Sequence, residues 1–149
     1  MSYRFFLLLP LLFCMLSSPT NAQNAGNLQV NISNLRNYKG QILVSVYKSA
    51  DGFPSDAKKV YQSKTITIQK SAIQTVTFEQ LPYGKYAISL LHDENSNFKM
   101  DFNWLGIPIE GFGVSNNAIR KLGAPRFEEA AFHFTPNGFR SIEISMYYF

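Results

Sequence analysis

Apolar and polar positions alternate along most of this chain with a period of two. Leu28, Val30 and Ile32 alternate with Gln29, Asn31 and Ser33, which predicts a half-buried first strand. Beyond the turn at Asn37-Tyr38-Lys39-Gly40, Ile42, Val44 and Val46 form a second apolar face. Asp51-Gly52 and Pro54 mark a turn-rich loop. Ile66 and Ile68, then Val76 and Phe78 after a break at Lys70-Ser71, read as the two arms of a hairpin. Leu81-Pro82-Tyr83-Gly84 is a further tight turn that launches the most apolar strand. There Tyr86, Ile88, Leu90 and His92 share one face and Ala87, Ser89 and Leu91 the other, which places the strand centrally. Ala130, Phe132 and Phe134 make another face, and Ile142, Ile144, Met146 and Tyr148 follow the Pro136-Asn137-Gly138 turn. Seven short strands without a long helical period predict an all-β fold, a seven-stranded antiparallel Greek-key β-sandwich.

One stretch departs from this pattern. From His92 to Asn117 the chain reads HDENSNFKMDFNWLGIPIEGFGVSNN. A connection of that length without strands of its own is uncommon in a compact domain and is usually functional or disordered. Phe98, Phe102, Trp104, Leu105, Ile107, Ile109 and Phe112 make it too apolar for a solvated linker. It is therefore expected to be one long ordered loop presented by the sandwich, with Asn116-Asn117 capping a single helical turn through Lys121.

The start of the chain changes the picture of its compartment. Arg4, the apolar run Phe5–Leu16 and the small-residue site Thr20-Asn21-Ala22 have the order of a signal peptide over residues 1–22. Residues 23–149 then form one exported domain, periplasmic or extracellular. The apolar run is short for a bilayer, so cleavage is expected rather than an anchor, and no membrane span after it. Phe13 before Cys14 argues against lipid attachment. Cys14 is the only cysteine, so the mature domain has no disulfide or thiol chemistry. The formal charge is +4, and +3 without Arg4. The basic residues are scattered, which speaks against nucleic acid as a partner.

The loop also carries the candidate chemistry. Asp93, Asn95, Asn97 and Asp101 stand at relative positions one, three, five and nine, with Lys99 at seven, where a backbone carbonyl would serve. That is the oxygen-ligand order of a calcium loop, so Ca²⁺ is the expected cofactor, bound in the weak extracellular class. Phe98 and Trp104 stand where an EF-hand has glycine and a bidentate glutamate, leaving Glu94, Asn103 or Glu110 to complete a shell. The same side chains can instead hold the loop by bonding its backbone.

His92 belongs at the inner end of its strand. It is either a core-edge histidine bonded to loop backbone, or a metal ligand or general base beside Asp93 or Glu94. The second option gives the alternative function, a small hydrolase-like enzyme using His92 with a loop carboxylate. His133 has outward parity, and Glu128-Glu129 on a strand would face opposite ways. The chain has no nucleophile elbow, phosphate loop or dinucleotide fingerprint. An accessory or binding module is therefore the leading expectation. Its partner surface is assigned to His92, Glu94, Trp104, Glu110 and Phe112, facing a protein or carbohydrate ligand. The loop aromatics are otherwise expected to fill the core of the loop.

Gly84-Lys85-Tyr86-Ala87-Ile88, the 92–117 stretch, and the run from Gly123-Ala124-Pro125 to Phe132 together resemble the bacterial secreted family called domain of unknown function 2141. The resemblance spans essentially the whole mature chain and is most specific over residues 84–132. Members often carry glycine where this chain has Phe98. The turn followed by a G-x-Y strand also resembles the prealbumin-like sandwiches of surface-protein B-type repeats and carboxypeptidase regulatory domains. What the resemblance implies is a prealbumin/immunoglobulin-like exported module with no assigned activity.

Overall fold

A computed structural model of the chain describes residues 24–120, 123–138 and 141–149. The signal-peptide reading of residues 1–22 and the Lys121 end of the expected helical turn lie outside the described residues. The strands are β1 (Ala25–Ser33), β2 (Gln41–Tyr47), β3 (Gln62–Thr67), β4 (Gln74–Pro82), β5 (Gly84–Asp93), β6 (Gly111–Val114), β7 (Phe132–Phe134) and β8 (Ser141–Ser145). They form two sheets, one ordered β4-β1-β8 and one ordered β3-β2-β5-β6. The far edge of β5 is shared end to end, with β6 against Ser89–His92 and β7 against Gly84–Tyr86.

The all-β sandwich is as the alternation predicts. The inward residues Leu28, Val30, Ile32, Ile42, Val44, Val46, Val76, Phe78, Ile88, Leu90, Ile144 and Met146 form one core between the sheets. β5 is buried on both faces, as expected of the central strand. Behind it a smaller cluster of Tyr47, Ala87, Val114, Phe127 and Ala130 covers the outer face of the larger sheet. Ser115 fastens this layer: its Oγ accepts from Ile88 N and donates to Ala130 O, at 2.9 and 2.6 Å.

Several details differ from the expectation. Among the described residues there are eight strands, the additional one being β6. β1 and β8 run parallel, so the smaller sheet is mixed. β3 and β4 are not a hairpin: β3 pairs with β2, while β4 pairs with β1 in the other sheet. The buried Gln74 holds that crossing, its side chain bonding Gln69 N, Gln69 O and Ser71 O. Finally, Glu128, Glu129 and Ala130 lie in a single helical turn, α1 (Phe127–Ala130), and the strand begins at Phe132. The helical turn expected after Asn116-Asn117 is absent over residues 118–120, and a 3-10 turn lies ahead of it, over Ser115–Asn117.

The two sheets are also joined at one corner. Phe112 and Tyr147 exchange both backbone bonds, at 3.0 and 2.7 Å, so the segment after β8 adds to the free edge of β6.

Candidate functional site

The 93–117 stretch leaves β5 and returns as β6, with His92 opposite Gly111 in the antiparallel register. The sandwich therefore clamps both ends of the excursion. Asp93 and Glu110 fill the gap above the clamp, and both are buried. Asp93 Oδ2 accepts from Gln41 Nε2 and Phe98 N, both at 2.8 Å, and Oδ1 from Asn97 N at 3.0 Å. Glu110 reaches across, Oε1 accepting from Glu94 N at 2.9 Å and Oε2 from Asp101 N at 3.1 Å. Buried backbone donors need partners, and these two carboxylates supply them.

Above that floor lies a ring of short polar side chains. Asn95 Oδ1 accepts from Asn97 N, and Asn97 Oδ1 accepts from Lys99 N. These are Asx turns, which fix the amide oxygens against backbone. The amide nitrogens of Asn95 and Asn97 then face the Asp101 carboxylate, at 2.6 to 3.1 Å.

Residues 101–109 fold beyond the ring into a small hairpin. Ile109 N donates to Asp101 O, Asn103 N to Ile107 O, and Gly106 N to Asn103 O. Asn103 Oδ1 accepts from Leu105 N and Ile107 N, closing the turn. Trp104 at its apex is 90% exposed, and Phe98, Phe102, Leu105, Ile107 and Ile109 are exposed with it.

A brace from the β1–β2 connection holds the loop from the side. Arg36 Nε donates to Glu94 Oε1 and its Nη2 to Ile109 O, both at 2.7 Å, while Asn37 Nδ2 donates to Glu94 Oε2. The Arg36 guanidinium lies 4.8 Å from the Tyr148 ring centre. Tyr148 Oη accepts from Arg36 N and meets His92 Nδ1 at 2.7 Å, and His92 Nε2 meets Lys39 O at 2.9 Å. A carbonyl only accepts, so Nε2 carries a proton. His92 is fully buried.

Each sequence-derived candidate thus has a definite place. Asp93, Asn95, Asn97, Lys99 and Asp101 are brought together, but the side-chain oxygens of the first three are aimed at loop N–H groups. His92 and Glu110 lie beneath the surface, Glu94 is bound by Arg36 and Asn37, and Phe112 is half-buried against Tyr147 and Phe149. Trp104 faces solvent. The remaining loop aromatics were expected in a core, and for Phe98 and Phe102 that is corrected, because the loop has no second layer to cover them. His133 is exposed, as its parity implied. Gln41, Arg36, Asn37 and Tyr148 were missed. Among the described residues no cluster of three or more His, Cys, Asp or Glu is arranged to hold a metal.

The carboxylates divide by sign. Burial pushes Asp93 up, but the bonds from Gln41 and from Phe98, Asn97 and Ser96 N–H outweigh it, leaving it below its ordinary value. Glu94 is also lowered, burial being outweighed by Asn37 and Arg36. Glu110 is raised: burial outweighs the N–H bonds from Asp101 and Glu94, and the charges of Asp101 and Asp93 add to it. A lowered acid stabilises the fold at neutral pH and loses that contribution as pH falls through its folded value. A raised acid has the opposite sign, stability growing as pH falls through its folded value. The melting temperature should therefore hold or rise slightly between about pH 7 and 5, then fall steeply below about pH 4. A steady decline from neutral pH in a calorimetric series would contradict these assignments.

Over residues 30–141 the chain matches a family described as "Uncharacterized protein conserved in bacteria (DUF2141)". No curated protein and no solved structure matches it.

Proposed function

The chain belongs to the DUF2141 family of uncharacterized bacterial proteins, and on that premise we propose that it is an exported accessory module that binds through the 93–117 loop. The observation that carries this reading is the run of exposed apolar side chains from Phe98 to Ile109 on a base stitched by buried carboxylates. Contiguous apolar surface on a well-anchored loop marks an interaction site. Phe98 adds to it. Its φ of 63° is left-handed, a conformation that costs a non-glycine residue roughly 1–2 kcal/mol, yet the residue is 62% exposed and gives little to the core. The sequence-derived partner classes were protein and carbohydrate. A sugar would need polar groups beside the aromatic ones, and Asn103 spends its oxygen inside the turn.

Replacing Trp104 and Leu105 together by serine tests the reading. Side chains held for a partner contribute little to folding, so the melting temperature should change by less than about 3 °C. A loss of ten degrees or so would show that the tip supports the fold and would overturn the proposal. The same melts decide on calcium. A cation at the Asx ring would have to displace N–H bonds to Asp93, Asn95 and Asn97, so no shift is expected at millimolar calcium. A rise of several degrees would instead assign a calcium-ordered loop.

The alternative hydrolase would need water to reach His92 and would need Tyr148 or Lys39 to release its ring. Nothing in the geometry favours that reading.

A further inference from the structure

We propose that the loop tip docks on a phospholipid surface bearing anionic headgroups, with Trp104 and Leu105 seated at the boundary between headgroups and acyl chains. This rests on the reading of the loop as the working surface and names its partner.

The shape of the tip is the first argument. A methyl group built on Gly106 meets nothing within 4 Å, and Trp104 is 90% exposed. The apex stands free of the rest of the protein. The best-formed hollows lie elsewhere, one lined by Gly26, Tyr83 and Phe134 and the other by Phe53, Pro125 and Phe127. A convex apolar apex suits a deformable interface, whereas a folded protein partner must supply a matching socket.

Polar satisfaction is the second. Backbone entering a bilayer boundary must have its polar groups bonded internally. In the hairpin the N–H groups of Asn103, Leu105, Gly106, Ile107 and Ile109 are bonded within residues 101–109, which leaves those of Phe102 and Trp104 to be solvated at the headgroup level. Tryptophan, with an apolar body and one N–H, favours the headgroup level.

The third is charge. Each acid of the loop is tied down: Asp93 and Glu110 are buried on backbone donors, Glu94 is held by Arg36, and Asp101 by the amides of Asn95 and Asn97. The cation of the stretch, Lys99, is exposed beside Phe98, and its ammonium has no partner among the described residues. Lys39 is exposed at the loop base. With Asp93 and Glu110 buried and Glu94 paired, the ammonium groups of Lys99 and Lys39, free among the described residues, are what this end of the molecule offers to an anionic headgroup.

The chain has one tryptophan, so Trp104 emission reports the tip directly. Residues 23–149 would be mixed with vesicles of phosphatidylcholine, alone and with phosphatidylglycerol. The expected result is a blue shift on the mixed vesicles, weaker on phosphatidylcholine alone, with quenching by brominated acyl chains. In co-sedimentation, Leu105→Ser should weaken binding on the order of tenfold, and Lys99→Gln about fivefold. Unchanged emission at millimolar lipid, with tip variants still fully stable, would overturn the lipid assignment and leave the working surface standing. Tip variants that unfold would instead overturn the working-surface reading itself. A blue shift on concentrating the protein without lipid would assign the tip to a second copy of the chain. Binding that salt abolishes without any blue shift would be surface adsorption, and insertion would be wrong.

Discussion

Gly40→Ala should lower the melting temperature by about 10–15 °C, a cost of roughly 3–5 kcal/mol for a domain of this size. Gly40 sits at φ 67°, where a side chain is strained whatever its surroundings, and a Cβ there would lie 2.0 Å from Asp93 O and 2.7 Å from Glu94 Cα. Both contacts are backbone, so no rotamer change relieves them. The next residue, Gln41, pairs with Asp93 and bonds its carboxylate, so any retreat opens the β2–β5 ladder where the loop is anchored. Gly106→Ala is the control. Its φ of 74° imposes the same backbone strain, but the added methyl enters open space, so about 1 kcal/mol and a few degrees are expected. Thermal melts of the two variants isolate the clash. Equal losses would mean that the turn and the loop base are not in contact in solution.

Asp93→Ala should be comparably severe, about 3–5 kcal/mol. Asp93 is fully buried and its oxygens accept from Gln41 and the backbone of Asn97 and Phe98. Removing it strands several buried donors, each costing about 1–3 kcal/mol, more where the lost partner was charged. Asp93→Asn would not rescue it, because an amide nitrogen would face an N–H. The effect should be concentrated in the loop. Amide exchange at Asn97 and Phe98 should accelerate on the order of a hundredfold, since each 1.4 kcal/mol of local stability is about tenfold. Asp101→Ala, in the exposed ring, should cost less than about 1 kcal/mol. Similar losses for the two aspartates would show that the floor beneath the ring carries no more than the ring itself.

Much of the sandwich was legible because one face of each longer strand is buried and the other is not. Leu28, Val30, Ile32, Ile42, Val44 and Val46 lie where their parity puts them, and His92 follows Leu90 inward. Alternation needs several residues to register, which is why β6 escaped. It has four residues, two of them glycines packed against Tyr148 and Ile144. The turn Phe127–Ala130 is likewise too short to show a period, and its Arg126 cap makes no side-chain bond. Pairing is a long-range property, so neither the parallel β1–β8 contact nor the separation of β3 from β4 could be read from neighbours. The same limit applied at the site. Spacing singled out Asp93, Asn95, Asn97 and Asp101 as a set, and the last three do bond within the loop, but Asp93 also faces Gln41, and its neighbour Glu94 faces Arg36 and Asn37, all more than fifty positions away. Apolar character in turn suggested burial for Phe98 and Phe102, which the loop leaves in solvent.

The parallel neighbour of β1 arrives very late. Asn34 Nδ2 bonds Met146 O across 112 positions, and β8 pairs with β1 along Gln29–Ser33. Without β8 the smaller sheet is the two-stranded ribbon β4-β1, which is marginal in water. Closing so long a chain segment loses entropy before any contact repays it. The rate-limiting step of folding is therefore expected to be a non-local docking, in the millisecond-to-second class of β-sandwiches. Until that step one edge of β1 is unpaired, and its free N–H and C=O groups along Gln29–Ser33 are what a passing chaperone, or another unfolded copy, would meet first.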